Sequence, residues 1–125
     1  MSRDKQHLQD YLSHIIQAIQ RIQHYTEDID ELGFLQNEMV QDAVIRNIEV
    51  IGEASNNIEK HFTEFAKLHP ELPLAFAYEM RNAVAHGYFK VDFEIVWKTI
   101  QNELPQLEQE TKVVLQQLVA ESNGC

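Results

Sequence analysis

Apolar residues recur three or four positions apart along most of this chain of 125 residues, and that spacing restricts the fold to packed helices. The clearest run lies near the N-terminus, at intervals of 4-3-4-3: Leu8, Leu12, Ile15, Ile19 and Ile22. A strand would instead alternate apolar and polar residues, and no stretch shows convincing alternation. We therefore predict an all-α domain, an antiparallel bundle of four to five helices.

Glycine, proline and capping residues divide this pattern into segments. The first helix is expected from about Asp4 to the acidic run 26–31, with Gly33 ending it. The second long helix is expected to begin at Gln36 or Asn37. The chain before and after residue 33 should therefore form two long helices.

Two prolines frame the strongest break in the chain, His69–Pro73. The next helix is expected from about Leu74 to Gly87, because glycine is common just after a helix end. Asp92 is expected to cap the last helical region. Pro105 makes that region either one kinked helix or two helices in sequence.

The second predicted helix contains a glycine and is unusually polar. Glycine inside a helix costs about 1 kcal/mol relative to alanine, so we expect another backbone to approach Gly52 closely. The polar residues of this helix either line a cleft or form hydrogen bonds between helices: Arg46, Asn47, Glu53, Asn56 and Asn57.

The chain is acidic overall, with a formal net charge of −10. Nucleic-acid-binding surfaces are normally basic, so this charge disfavours a broad RNA- or DNA-binding face. Much of the acid is concentrated in the run 26–31 and in the C-terminal third, where it can simply be a solvated surface. A neutral or basic cleft on an acidic body is compatible with this distribution, and Arg46 and Lys90 are its candidate RNA contacts.

Several classes of site are disfavoured by the residues present. The one cysteine, Cys125, excludes an intrachain disulfide and a cysteine-based zinc cluster. The six histidines are scattered, and no two have the i,i+4 spacing of a helical metal site. No apolar run approaches the roughly 20 residues of a membrane span, and the first residues do not resemble a signal peptide. We expect one cytoplasmic domain over residues 1–125, without a metal or cofactor.

Residues 81–88, with the sequence Arg-Asn-Ala-Val-Ala-His-Gly-Tyr, are the richest in reactive groups. Arg81 can bind a phosphate through two parallel hydrogen bonds, and His86 can transfer protons near neutral pH. Asn82 lies four residues before His86, on the same face of a helix, where it can orient the imidazole. These groups indicate phosphodiester chemistry. The alternative is a capped helix end with a hydrogen-bonded histidine and a packed Tyr88.

The spacing of Arg81 and His86 favours a site shared by two subunits. They lie five residues apart, about 140° around a regular helix, so one helix does not direct both side chains at the same atom. Either the chain turns away at Gly87, or a second copy of the chain places its histidine beside the arginine.

RNA cleavage by these groups requires no metal. A base removes the proton from a ribose 2′-hydroxyl, which then attacks the adjacent phosphorus. His86 is the candidate base or acid, and Arg81 stabilises the charge that develops on the phosphoryl oxygens. Tyr88 is a candidate to hydrogen-bond the phosphate or to stack on a base.

The same segment resembles a known family. Residues 80–89, Met-Arg-Asn-Ala-Val-Ala-His-Gly-Tyr-Phe, carry the R-x-x-x-x-H-x-Y hallmark of the HepT-like family of HEPN proteins. Residues 43–54 are similar to the second-helix segment of that family, and the likeness continues in order through nearly the whole chain. One departure is the run 72–78, which lacks the Pro-Trp pair that many relatives carry there.

The resemblance implies an all-helical HEPN fold, a homodimer, and a metal-independent ribonuclease toxin with its site at the dimer interface. Arg81 and His86 match the catalytic pair of the family, and Asn82 matches the polar residue beside the arginine. The implied partner is a minimal nucleotidyltransferase antitoxin that transfers AMP from ATP onto the motif tyrosine, here Tyr88. Each added phosphate would bring negative charge and bulk to the RNA site. The alternative is a non-catalytic helical subunit that mainly binds a nucleotidyltransferase, which the acidic surface supports.

Overall fold

Helices account for nearly all of the chain in the computed structural model, which describes residues 2–85 and 91–124. Within those ranges the helices are α1 (Ser2–Thr26), α2 (Glu31–Leu35), α3 (Glu38–His61), α4 (Thr63–Leu68), α5 (Leu74–Ala85), α6 (Phe93–Asn102) and α7 (Leu104–Gly124). The described ranges contain no strand, so the all-α prediction is confirmed. The five longer helices match the predicted bundle, whereas the short helices α2 and α4 were not predicted.

The core forms around α3, which packs against both α1 and α5, while α1 also packs against α7. All five residues of the N-terminal apolar run are buried, as their spacing predicted. From α3 the fully buried side chains include Val44, Ile48, Ile51 and Ile58, again three, four or seven positions apart. No helix in the described ranges combines the length and apolar character that a membrane span requires.

The prediction that Gly33 ends the first helix is wrong. The helix α1 ends earlier, at Thr26, and Gly33 lies inside α2. A carboxylate oxygen of Asp30 accepts a hydrogen bond from the backbone N–H of Gly33 at 2.8 Å, which caps the start of α2. Capping at Asp30 therefore outweighs the helix-breaking tendency of one glycine.

Burial of Phe34 explains why so short a helix forms. This ring is fully buried, and its centroid lies 5.4 Å from that of Trp97 and 6.0 Å from that of Phe93. Because both partners belong to α6, the contact fixes α2 against an element almost 60 residues further along the chain. Aromatic packing of this kind depends on tertiary structure, and local sequence patterns do not indicate it.

Two predicted capping residues are confirmed. The side-chain oxygen of Asn37 accepts a hydrogen bond from the N–H of Val40 at 3.1 Å and opens α3. A carboxylate oxygen of Asp92 accepts from the N–H groups of Glu94 and Ile95, at 3.1 and 3.3 Å, and opens α6. Both caps satisfy backbone donors that lack a partner within the helix.

Pro105 separates two helices. It lies in the first turn of α7, which begins at Leu104, where a missing N–H breaks no helical hydrogen bond. The alternative of one kinked helix is therefore excluded. The predicted helix end at Gly87 lies outside the described residues.

Close contact between α3 and α5 explains the glycine within α3. A Cβ atom built on Gly52 would lie 2.1 Å from the Cβ of Arg81 and 3.2 Å from the carbonyl oxygen of Ala77. No side chain fits there unless α5 moves, so the predicted close approach is confirmed. It also sets the base of the Arg81 side chain directly against the middle of α3.

Candidate active site

A cavity of about 350 Å³ lies beside Arg81, where α1, α3 and α5 meet. We call it the Arg81 pocket. Its lining consists of Tyr11 and His14 from α1, of Arg46, Glu49, Val50, Glu53, Ala54 and Asn57 from α3, and of Arg81 from α5. The pocket thus combines two guanidinium groups with two aromatic rings.

The guanidinium of Arg81 is held by two acceptors. Its Nη2 lies 2.9 Å from Oε1 of Glu53, and its Nη1 donates a hydrogen bond to Oδ1 of Asn82 at 3.0 Å. Its Nε is buried and has no hydrogen-bond partner among the described residues. The arginine is therefore oriented from two sides while one buried donor remains unpaired, which is costly unless an acceptor reaches it.

Sequence reasoning placed Asn82 beside His86, whereas the structure shows its side chain bound to Arg81. The contact gives Asn82 a role in fixing the arginine. His86 and Tyr88 lie outside the described residues, as does Lys90.

Three polar residues of α3 take the predicted cleft-lining role, whereas Asn47 takes neither of the two predicted roles. Arg46, Glu53 and Asn57 line the Arg81 pocket, as a cleft-lining helix requires. Asn47 is buried instead, and its amide donates to the backbone carbonyl of Ala43 at 2.9 Å, which is a bond within α3. Arg46 therefore shares a cavity with Arg81, the position expected of a second phosphate contact.

Sequence reasoning did not assign Tyr11 or His14 to the site, and it did not predict that Glu53 pairs with Arg81. The ion pair between Glu53 and Arg81 joins α3 and α5. No local sequence pattern reveals how these two helices are aligned, although Gly52 indicates where they touch. His14 is exposed, and it also borders the pocket together with Tyr11. Packing of α1 on α3 brings these two rings to the site.

The Arg81 pocket is electrostatically unlike the rest of the protein. Among its described lining residues, the formal charges of Arg46 and Arg81 balance those of Glu49 and Glu53, whereas the whole chain carries −10. The charges of this part of the site are those of the neutral cleft with which the sequence is compatible. In residues 2–85 and 91–124, no three His, Cys, Asp or Glu side chains are grouped so that they could hold a metal ion.

Comparison with known proteins identifies relatives in sequence. The family model described as Ribonuclease HepT-like matches residues 15–114. A protein of Thermococcus cleftensis named "Probable ribonuclease HepT" is 42% identical over 99 residues, which cover 79% of this chain and 87% of that protein.

The fold is also similar to a solved structure. The chain aligns with the tri-AMPylated HEPN toxin of Shewanella oneidensis in complex with MNT antitoxin, with a TM-score of 0.68 and 23% sequence identity. The alignment covers 86% of this chain and 96% of the other. The predicted HEPN-like architecture is therefore confirmed.

Proposed function

Since this chain belongs to the Ribonuclease HepT-like family, we propose that it is an endoribonuclease toxin that cleaves RNA without a metal, through Arg81 and His86. The observation that carries this proposal is the position of Arg81: its guanidinium borders a cavity of about 350 Å³ that also contains Arg46. Two guanidinium groups in one cavity suit the phosphates of a polynucleotide. We place this activity in the cytoplasm.

Cleavage begins when a base removes the proton of a ribose 2′-hydroxyl. The 2′-oxygen attacks the adjacent phosphorus, the bond from phosphorus to the 5′-oxygen breaks, and an acid protonates that oxygen. His86 serves as base or acid, and the second subunit's copy of His86 is the candidate for the complementary role. Arg81 donates hydrogen bonds to the non-bridging oxygens, where negative charge increases in the transition state.

Glu53 and Asn82, the neighbours of Arg81 in the described part of the chain, contribute by orienting its guanidinium. Glu53 and Asn82 hold the guanidinium in place before RNA arrives, so little conformational entropy is lost when phosphate binds. Because carboxylate and phosphate compete for the same donors, RNA binding has to displace or share the contact with Glu53. Each terminal nitrogen of the guanidinium carries two N–H groups, so those not bound to Glu53 or Asn82 can donate to a phosphoryl oxygen without that exchange.

A homodimer with its sites at the interface is part of the proposal. Five residues separate Arg81 from His86, which turns them about 140° apart on a regular helix. Two copies of the chain that meet near α5 can bring the arginine of one beside the histidine of the other. RNA would then bind in the cleft between them.

The proposed partner is a nucleotidyltransferase antitoxin that AMPylates Tyr88. Support comes from the fold neighbour, a tri-AMPylated HEPN toxin in complex with MNT antitoxin. Phosphate groups added to Tyr88, two residues after His86, would bring negative charge to the region that binds RNA phosphate. Incubation with the antitoxin and ATP, followed by intact mass measurement, should show AMP added to the wild type and none added to Tyr88→Phe.

The direct test is incubation of the purified dimer with single-stranded RNA in excess EDTA. Wild-type protein should cleave, and His86→Ala and Arg81→Ala should each lose at least 100-fold in rate. Equal inertness of all three proteins would favour the alternative, a non-catalytic subunit that binds a nucleotidyltransferase. The specific support for that alternative is the net charge of −10.

A further inference from the structure

We propose that α1 supplies a nucleotide subsite to the Arg81 pocket, an inference that rests on RNA binding at Arg81. In this subsite Tyr11 and His14 hold the base of a nucleotide next to the cleaved bond, and Arg46 holds its phosphate. The ligand is single-stranded RNA, because a base inside a duplex cannot reach an aromatic side chain.

Continuity of the cavity is the first argument. Tyr11, His14 and Arg46 line the same space as Arg81, so one bound chain contacts all four. The volume of about 350 Å³ lies at the lower end of the roughly 300–1,000 Å³ of small-ligand pockets and suits one nucleotide unit.

The ring of Tyr11 is held in place by its neighbours. Its centroid lies 6.3 Å from that of Phe62 and 6.4 Å from that of His14, with interplanar angles of 68° and 76°. Such edge-to-face contacts stabilise a half-buried ring and limit its motion. A fixed aromatic ring beside guanidinium groups is a typical arrangement for binding unpaired bases.

The polar atoms of Tyr11 and His14 do not help to stabilise the described part of the fold. Neither the Tyr11 hydroxyl nor a ring nitrogen of His14 makes a hydrogen bond there, and neither atom is buried without a partner. Both are therefore free to bind a ligand. Tyr11 also borders a second cavity of about 460 Å³, whose other lining residues are His7, His61 and Phe62. A longer RNA can continue into this cavity.

The charges favour one nucleotide over a row of phosphates. Glu49 and Glu53 balance the two arginines of the pocket, so only a phosphate directly at a guanidinium binds well. Carboxylate and amide oxygens accept hydrogen bonds from the amino groups of bases, which places Glu49 and Asn57 as candidate contacts to a base edge.

The test measures binding of a fluorescent single-stranded oligoribonucleotide to the full chain carrying His86→Ala, which prevents cleavage. Adding Tyr11→Leu or His14→Ala should raise Kd roughly tenfold, the effect of losing one base–aromatic contact. The loss should be much smaller with an abasic oligoribonucleotide of the same length, because it keeps the phosphates but lacks the bases that Tyr11 and His14 would hold. Tyr11→Phe keeps the ring and should bind within about threefold of the parent.

The chain offers a matched control pair on the same helix. His24 and Tyr25 are also neighbouring rings, with centroids 6.2 Å apart, but both are exposed and neither lines the Arg81 pocket. His24→Ala and Tyr25→Leu should leave Kd unchanged. Circular dichroism melting of every variant identifies any loss of folding, and His14→Ala, at an exposed position, decides the test if Tyr11→Leu does not fold.

The outcomes separate this inference from the proposed cleavage. Normal affinity in folded Tyr11→Leu and His14→Ala variants would overturn the subsite, even if the wild type cleaves RNA. Absence of cleavage by the wild type, together with binding that depends on Tyr11, would overturn the cleavage proposal and support the subsite. An equal loss of affinity in the His24 and Tyr25 controls would also overturn it, because the effect would then not be local to the pocket.

Discussion

Oε1 of Glu53 lies 2.9 Å from Nη2 of Arg81, so the arginine assigned to RNA phosphate is already paired with a carboxylate of the same subunit. The two side chains are 55% and 24% exposed, and such partly exposed pairs contribute about 1 kcal/mol or less to stability. The pair is therefore weak enough to open when phosphate arrives.

Replacement of Glu53 by glutamine should tighten RNA binding. Glutamine keeps an oxygen that accepts from Arg81 but removes the negative charge that competes with phosphate. We expect Kd to fall by about three- to tenfold in the His86→Ala background at low salt, with a smaller change at high salt, where exposed charges are screened. Glu59→Gln removes a charge from an exposed position of the same helix, outside the pocket, and controls for bulk electrostatics. An equal gain in both variants would contradict competition at Arg81.

Co-expression of Arg81→Ala and His86→Ala chains tests the shared cleft. If each site uses the arginine of one subunit and the histidine of the other, the mixed dimer contains one intact site and one doubly mutated site. Cleavage should return to about half of the wild-type rate per mixed dimer, although each homodimer is inactive. Differently tagged chains allow the mixed dimer to be purified. A mixed dimer as inactive as its parents would show either that both residues of a site belong to one subunit or that one site needs the histidines of both subunits.

Gly52→Ala should destabilise the fold and weaken cleavage together. The added Cβ would lie 2.1 Å from the Cβ of Arg81, so α5 has to move away from α3. Overpacking of this kind costs about 1–3 kcal/mol, more than the roughly 1 kcal/mol that alanine gains in helix propensity. Urea unfolding measures the change. Gly33→Ala is the milder comparison, because its Cβ would meet the nearest atom, Oδ1 of Asp30, at 3.3 Å, a tight contact that a shift of a few tenths of an ångström relieves.

Stability should depend on the ionisation of Glu108. Burial raises the pKa of this carboxyl, but hydrogen bonds from Lys112, Gln23 and Gln20 outweigh that effect and hold the pKa below its ordinary value. A carboxyl whose pKa is lower in the folded state stabilises the fold above its unfolded pKa, near 4.5, and loses that contribution as pH falls through the folded value.

Urea unfolding at pH 7 and below pH 4 checks this dependence. Glu108→Gln should lower the free energy of unfolding at pH 7 by about 1 kcal/mol and change it little at the acidic pH. Glu110→Gln removes a charge from the same helix and controls for net charge. A Glu108→Gln deficit that is equally large at both pH values would show that packing, not ionisation, is responsible.

Local signals in the sequence predicted much of the fold. Asn37 and Asp92 are capping residues whose bonds reach only two or three positions along the chain, and the N-terminal apolar run needs only helical periodicity to show its buried face. The short helix α2 escaped prediction because Phe34 is stabilised by rings of α6, far away in sequence. Propensity alone could not indicate that contact.

The site was predicted less completely, for a related reason. The motif 81–88 supplied Arg81, and the polarity of α3 supplied Arg46, but no local pattern gives the relative rotation of two helices. The pairing of Glu53 with Arg81 depends on that rotation, as does the presence of Tyr11 in the same cavity. The roles of His86 and Tyr88 remain predictions from the motif and the family.

The contact at Gly52 affects which mutations can inactivate this protein during evolution. Gly52, which has no side chain, sets the distance between α3 and α5, and Arg81, the arginine proposed for RNA cleavage, packs directly on it. Under the proposed toxin activity, mutations that restore the growth of a host need not change any residue that contacts RNA. Any residue other than glycine at position 52 would push against the Cβ of Arg81 and displace that side chain. A mutation in the core can therefore abolish the activity as readily as one at the surface.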